Sequence, residues 1–281
     1  MVKKSTTKKI EDKPKKSASI ASKPTPSIQE SVPKNNFSER FSRALGWTLW
    51  IIFTFFAANF IMALFIMVMR HHGFTIDLRA GTAVPVVINA TMYILMFVIA
   101  VLVPIRWRNR KKPNLERTKV KSILEQIGLS RGVKLIDIRY FLADLPVFYL
   151  VSLVAAGIAA YFLGSEIMGQ EQNIGFTTFG NNTWQLMAIF LALVIVAPLF
   201  EEIVLRGFLF TKLRKNMPFW PMAILISLLF AVAHGQINVG IMTFIMSMFC
   251  CWIREKTGSI WGAIFLHAFN NGLAFYLLFI M

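Results

Sequence analysis

The stretch WQLMAIFLALVIVAPLFEEIVLR, Trp184 to Arg206, runs for seventeen residues without an ionisable group and then sets Glu201, Glu202 and Arg206 within six positions. About 30 Å of hydrocarbon is crossed by roughly 20 apolar residues at helical rise, so the run reads as a membrane span meeting a carboxylate pair. A charge at mid-bilayer costs about 2.5 to 3.5 kcal/mol on insertion scales. Two carboxylates and a guanidinium therefore ask for partners, a solvated helix end or a purpose.

The rest of the chain has the same character. Its 281 residues are 56% hydrophobic and 16% charged, with 26 Phe, too apolar for one ordinary soluble domain. Ala44 to Met69, Ala83 to Ile105 and Leu145 to Ser165 contain no Asp, Glu, Lys, Arg or His. Farther on, Met217 to Ala233 runs into His234, Gly235 to Ile253 is uninterrupted, and Thr257 to Met281 is broken only by His267. The expected fold is all-α: a polytopic transmembrane helix bundle of about seven spans behind a disordered basic N-terminal tail.

Three regions follow. Residues 1–43 are rich in Lys, Ser and Pro, with 11 Lys or Arg against 4 Asp or Glu, and read as a disordered basic cytoplasmic tail. No apolar run precedes Ala44, so the tail is not a cleaved signal peptide and the first helix is expected to act as an uncleaved anchor. Residues 44–183 form an N-terminal transmembrane scaffold with a basic cytoplasmic loop, and residues 184–281 a transmembrane core that holds the polar residues. The first three spans carry little beyond isolated Asn59, Asn89 and Thr91, so function is expected in the last four.

Orientation comes from the positive charge. The tail holds 11 Lys or Arg, 106–139 another 11, 206–215 four and 254–256 two, while 70–83 has two and 164–183 none. A seven-span chain puts the four rich segments on one side, which the positive-inside rule makes cytoplasmic, with the N terminus in, the C terminus out and the cell membrane as location. The net charge of +16 then attracts anionic membrane lipids rather than nucleic acid. The tail has neither interleaved aromatics nor a recognition module, so no nucleic-acid partner is expected.

Within 106–139, Val120, Ile123, Leu124, Ile127 and Leu129 alternate with charges at helical spacing, as in either a short interfacial helix or a solvated linker. Cys250 and Cys251 are helix neighbours pointing to different faces, and read as small apolar filler. No internal repeat of the kind that marks transporters is visible.

Helical spacing divides the roles around the carboxylate pair. Glu202 and Arg206 are four apart and share a face, whereas Glu201 points about 100° away. Glu202 is the natural ion-pair partner of Arg206, which leaves Glu201 to face something else. In an antiparallel hairpin turning at Asn216 to Pro218, Glu201 and His234 stand at nearly the same depth. On the last span His267 and Asn271 are four apart, with Asn270 beside them. Taken singly, each motif is also explained by a solvated helix end, a packing histidine or interhelical hydrogen bonds.

Together, Glu201-Glu202-x-x-x-Arg206, Phe230-x-x-x-His234 and His267-Ala268-x-x-Asn271 resemble the motifs of the CPBP family, the CAAX-processing and bacteriocin-processing or immunity proteins also called Abi, over roughly Trp184 to Phe275. The resemblance implies an intramembrane endopeptidase that hydrolyses a peptide bond of a membrane-associated peptide or protein. It makes Glu201 and His234 the pair that activates water and His267 and Asn271 the oxyanion site, supported by Glu202, Arg206 and Asn270. No cofactor is certain. Zinc, if present, would use Glu201, His234 and His267, although no His-Glu-x-x-His helix occurs. The other functions such residues serve are bacteriocin immunity or regulation without proteolysis, and proton-coupled transport.

Overall fold

A computed structural model describes residues 36–76, 84–110, 120–170 and 183–281. The tail up to residue 35 lies outside the described residues. The main helices are α1 (Phe37–His71), α2 (Val84–Trp107), α3 (Val120–Gln126), α4 (Leu135–Leu163), α5 (Thr183–Arg214), α6 (Phe219–Ala233), α7 (Ile237–Thr257) and α8 (Trp261–Phe279), with a single turn at Ser165–Met168 after α4. No strand occurs among the described residues. Six of these helices are long and apolar enough to cross a membrane, and the chain is a multi-pass membrane protein. The seventh apolar segment, α6, has only 15 residues. At about 1.5 Å per residue it is shorter than the hydrocarbon thickness.

The bundle is apolar on its outside. Phe53, Phe56 and Phe60 on α1 and Leu150, Leu153 and Ile158 on α4 are exposed, whereas Ala44, Thr48, Thr54, Ala58 and Ser152 are buried. Lipid solvates large apolar side chains, so small residues line the contacts where backbones approach. Thr48 and Thr54 donate their hydroxyls back to the carbonyls of Ala44 and Ile51 (3.0 and 2.8 Å), so these two buried hydroxyls are satisfied on their own helix.

Two prolines shape the helices that matter most. Pro198 in α5 follows a π-helical stretch, Leu191–Val196, and Pro104 in α2 follows another, Val98–Leu102. A proline has no N–H and its ring crowds the preceding turn, so carbonyls four and five residues back lose their donor. Other helices replace it. Asn271 Nδ2 on α8 donates to Leu193 O at 2.9 Å, and Trp50 Nε1 on α1 donates to Ala100 O at 3.2 Å.

The basic segments meet at one end of the bundle. Arg40 Nε donates to Asn216 O (3.0 Å), Lys212 Nζ to Gln126 Oε1 (3.1 Å), and Arg214 pairs with Glu255 (3.0 Å). The amphipathic pattern after Val120 does form a helix, but it docks on protein: Ile127 is buried, and Ile123, Leu124 and Leu129 pack on the core. Gly207 on α5 lies so close to the Ile127 carbonyl that no side chain fits between them. The α7–α8 turn is closed by Gly258, left-handed at φ +70°, whose N–H caps the Arg254 carbonyl at 3.0 Å. Ile260 N–H then reaches Gly128 O at 3.2 Å.

The third span begins earlier than its uncharged run, at Leu135 rather than Leu145. The fully buried Asp137 carboxylate accepts the Lys134 N–H (2.8 Å) and both arms of Arg131 (2.6 and 2.8 Å), which completes the helix start.

Candidate active site

Arg206 and Glu202 are both fully buried and bond at 2.9 Å through Arg206 Nη1 and Glu202 Oε1. The i,i+4 pairing forms even though Arg206 lies in a π-helical stretch, Ile203–Leu209. That stretch leaves the Arg206 carbonyl open to α7, where the Arg254 Nε donates to it at 3.2 Å.

The same Glu202 oxygen lies 2.9 Å from His267 Nδ1, while His267 Nε2 lies 3.5 Å from Glu201 Oε2. A carboxylate can only accept, so the Nδ1 facing Glu202 is the protonated nitrogen. One imidazole on α8 thus spans the two adjacent carboxylates that the helix turns apart. Spacing had joined His267 to Asn271 alone; the structure joins it to both glutamates.

His234 reaches the cluster from the C-terminal end of α6. Its Nδ1 lies 2.8 Å from the Phe230 carbonyl, which also only accepts, so Nδ1 carries the hydrogen and Nε2 is the acceptor of the neutral ring. The hydrogen bond fixes the ring on its own helix, and His234 is not among the hydrogen-bond partners of Glu201. Phe230 sits between the histidines, edge-on to His234 at 4.7 Å and to His267 at 5.6 Å, with the Arg206 guanidinium 4.9 Å from its ring centre. The aromatic of the Phe-x-x-x-His motif is therefore the spacer of the site, a role the spacing alone did not assign.

Asn271 lies on the same α8 face, with Nδ2 on Leu193 O as described, so the residue that mends the α5 ladder also borders the cluster. Asn270, half-buried, is its neighbour. Cys250 and Cys251 are free, buried thiols; Cys250 Sγ leans on the Ala263 carbonyl at 3.7 Å, and Cys251 lies against Arg206.

One contact comes from the supposed scaffold. Tyr93 on α2 donates its hydroxyl to Glu201 Oε1 at 2.8 Å. The expectation that the first three spans stay away from the site is thereby corrected: a tyrosine in an uncharged run reads as packing, and nothing in its spacing points to α5.

Zinc needs three or more ligand atoms converging at about 2.0 to 2.3 Å. Among the described residues no group of three or more His, Cys, Asp and Glu is placed to hold a metal ion. Phe230 separates His234 from His267, and the Arg206 cation adjoins both Glu202 and Phe230.

An apolar groove of about 680 Å³ between α4, α6 and α7, lined by Ala155, Leu228, Val232, Gly240 and Phe244, includes none of the motif residues. It is a separate feature from the polar cluster.

Compared with known families, residues 183–273 match the model of the type II CAAX prenyl endopeptidase, Rce1-like. The similarity covers 91 of the chain's 281 residues. The Rce1-like segment begins with α5 and ends within α8, so it holds Glu201, Glu202, Arg206, Phe230, His234, His267 and Asn271, and it leaves out Tyr93. Among curated proteins and solved structures the chain has no match.

Proposed function

We propose that the protein is an intramembrane endopeptidase of the CAAX-protease-like (CPBP or Abi) type, cutting a peptide bond in a membrane-associated peptide or protein. The observation that carries this reading is the gathering of Glu201, Glu202, His234 and His267 from three helices around Phe230 and Arg206, within the Rce1-like segment.

In this reading Glu201, relieved of structural duty by Glu202, takes a proton from water as its oxygen attacks the scissile carbonyl. His234 Nε2 is the second acceptor near that water, its ring aimed by the Phe230 carbonyl. His267 stands with Nε2 toward Glu201, where it can donate to the developing oxyanion whenever that nitrogen bears a proton. Asn271 has two amide hydrogens; Leu193 takes one, and the other serves as the second oxyanion donor. The proton held by Glu201 passes to the leaving amine as the C–N bond breaks. No step is assigned to a metal. The basic end of the bundle is assigned to the cytoplasm of a cell membrane, by the positive-inside rule.

The test uses protein purified into liposomes and an internally quenched peptide ending in a farnesylated Cys-aliphatic-aliphatic-X sequence, with its unprenylated counterpart alongside. Cleavage by the wild type, lost in Glu201→Ala and His234→Ala variants that insert normally, is the expected result. Equal cleavage by both variants would sink the catalytic assignment. A cellular function that survives Glu201→Ala would point instead to the same fold acting as a bacteriocin immunity or regulatory protein.

A further inference from the structure

Glu201 is not held by the Rce1-like segment alone. Its Oε2 lies 3.5 Å from His267, but its Oε1 accepts the Tyr93 hydroxyl at 2.8 Å, from a helix outside residues 183–273. The contact is built and not incidental. Phe97, one turn along α2, packs edge-on against Phe200, the residue before Glu201, with ring centres 5.6 Å apart. Below it, the Ala100 carbonyl that Pro104 leaves without a donor is bound by Trp50 of α1, which fixes the α1–α2 pair in register. Each step sets the height and rotation at which Tyr93 meets α5.

We infer that Tyr93 is a positioning residue for Glu201, an inference that rests on the peptidase reading of that carboxylate. A glutamate side chain has three rotatable bonds, and without a partner on Oε1 the carboxylate turns freely about the last of them. The Tyr93 hydroxyl holds Oε1, and the Oε2 side then faces the cluster, 3.5 Å from His267 Nε2. Orientation of this kind acts on the reacting geometry and not on substrate affinity. The peptidase is then a two-part device in which the N-terminal pair of spans completes a site otherwise carried by the last four.

The experiment compares wild type, Tyr93→Phe and Glu201→Gln in liposomes by two readouts. The first is infrared difference spectroscopy, with the Glu201 carboxylate stretch identified by its loss in Glu201→Gln. The second is kcat and KM on the quenched farnesylated peptide. In Tyr93→Phe the carboxylate band should shift while thermal stability stays close to wild type. Over the same change kcat should fall roughly ten- to hundredfold, the size of one hydrogen bond to a charged group, with KM unchanged. An unshifted band overturns the inference whatever the activity, because no hydrogen bond was lost. A shifted band with wild-type kcat overturns it too, because the bond then does not serve turnover. Wild-type cleavage by Glu201→Gln would refute the underlying peptidase reading instead, and a peptide left intact by the wild type would refute only the prenyl-peptide substrate, with the band deciding the contact by itself.

Discussion

Replacing Glu202 by Gln should be the most damaging single-atom change in the bundle, although it lies next to the residue assigned to catalysis. Glu202 and Arg206 are both fully buried, and Glu202 Oε1 serves two partners at once, Arg206 Nη1 and His267 Nδ1, each at 2.9 Å. Glutamine keeps the size but removes the charge that balances Arg206 at span depth. Removing one partner of a buried pair costs about 3–5 kcal/mol, because the remaining charge stays desolvated. That corresponds to roughly a hundredfold or more in the folding equilibrium.

The assay is SDS-induced unfolding in mixed micelles, followed by tryptophan fluorescence, on Glu202→Gln, Glu201→Gln and the double variant Glu202→Gln/Arg206→Met. Glu201 is partly exposed, 18% for its side chain, and its bond to Tyr93 can be kept by the Gln carbonyl, so Glu201→Gln should unfold near wild type. The double variant, with no orphan cation left, should recover much of the loss, since apolar replacement of a whole buried pair is often close to neutral. Equal stability of Glu201→Gln and Glu202→Gln would refute the division of labour between the two carboxylates. So would a double variant less stable than Glu202→Gln alone.

Other residues give sharper local tests. Asn271→Ala strands the Leu193 carbonyl and should lower stability by about 1–3 kcal/mol in the same assay, but by much less in a Pro198→Ala background, where the restored N–H supplies the missing donor. Equal costs in both backgrounds would show that the proline is not the cause. Gly207→Ala drives a methyl group into the Ile127 carbonyl and should cost about 1–3 kcal/mol. Limited proteolysis within α3 should then accelerate as that helix lifts, and an unchanged cleavage rate would contradict its tight docking on α5. His267→Ala removes the bridge between the carboxylates, so it should lower stability in the unfolding assay as well as abolish peptide cleavage; a loss of cleavage at wild-type stability would contradict the bond to Glu202.

Much of this was readable from the chain. Uncharged runs located the spans because hydrocarbon tolerates so few charges, and the i,i+4 rule found Glu202–Arg206 because both partners lie on one helix. What could not be read depends on contacts between helices. Tyr93 sits 108 residues before Glu201, and an apolar span gives no sign of which neighbour a tyrosine hydroxyl will meet. The tie from Asn271 to Leu193 required knowing that Pro198 follows a π-helical stretch, which depends on backbone register more than on residue type. His267 was assigned to the site but not to both carboxylates, since that geometry needs the depth of α8 against α5. The pattern after Val120 left a helix and a linker both open, and the glycine that admits the docked helix, Gly207, is far along the chain and carries no pattern of its own.

The central claim is that Glu201 turns this cluster into a peptidase. It is tested most directly by comparative peptidomics of membranes containing either wild-type protein or Glu201→Gln at equal abundance. At least one peptide should have a new terminus that is present with the wild type and missing with Glu201→Gln, its uncut precursor accumulating in step. Identical peptide sets from the two membranes, with both proteins inserted and folded, would contradict it.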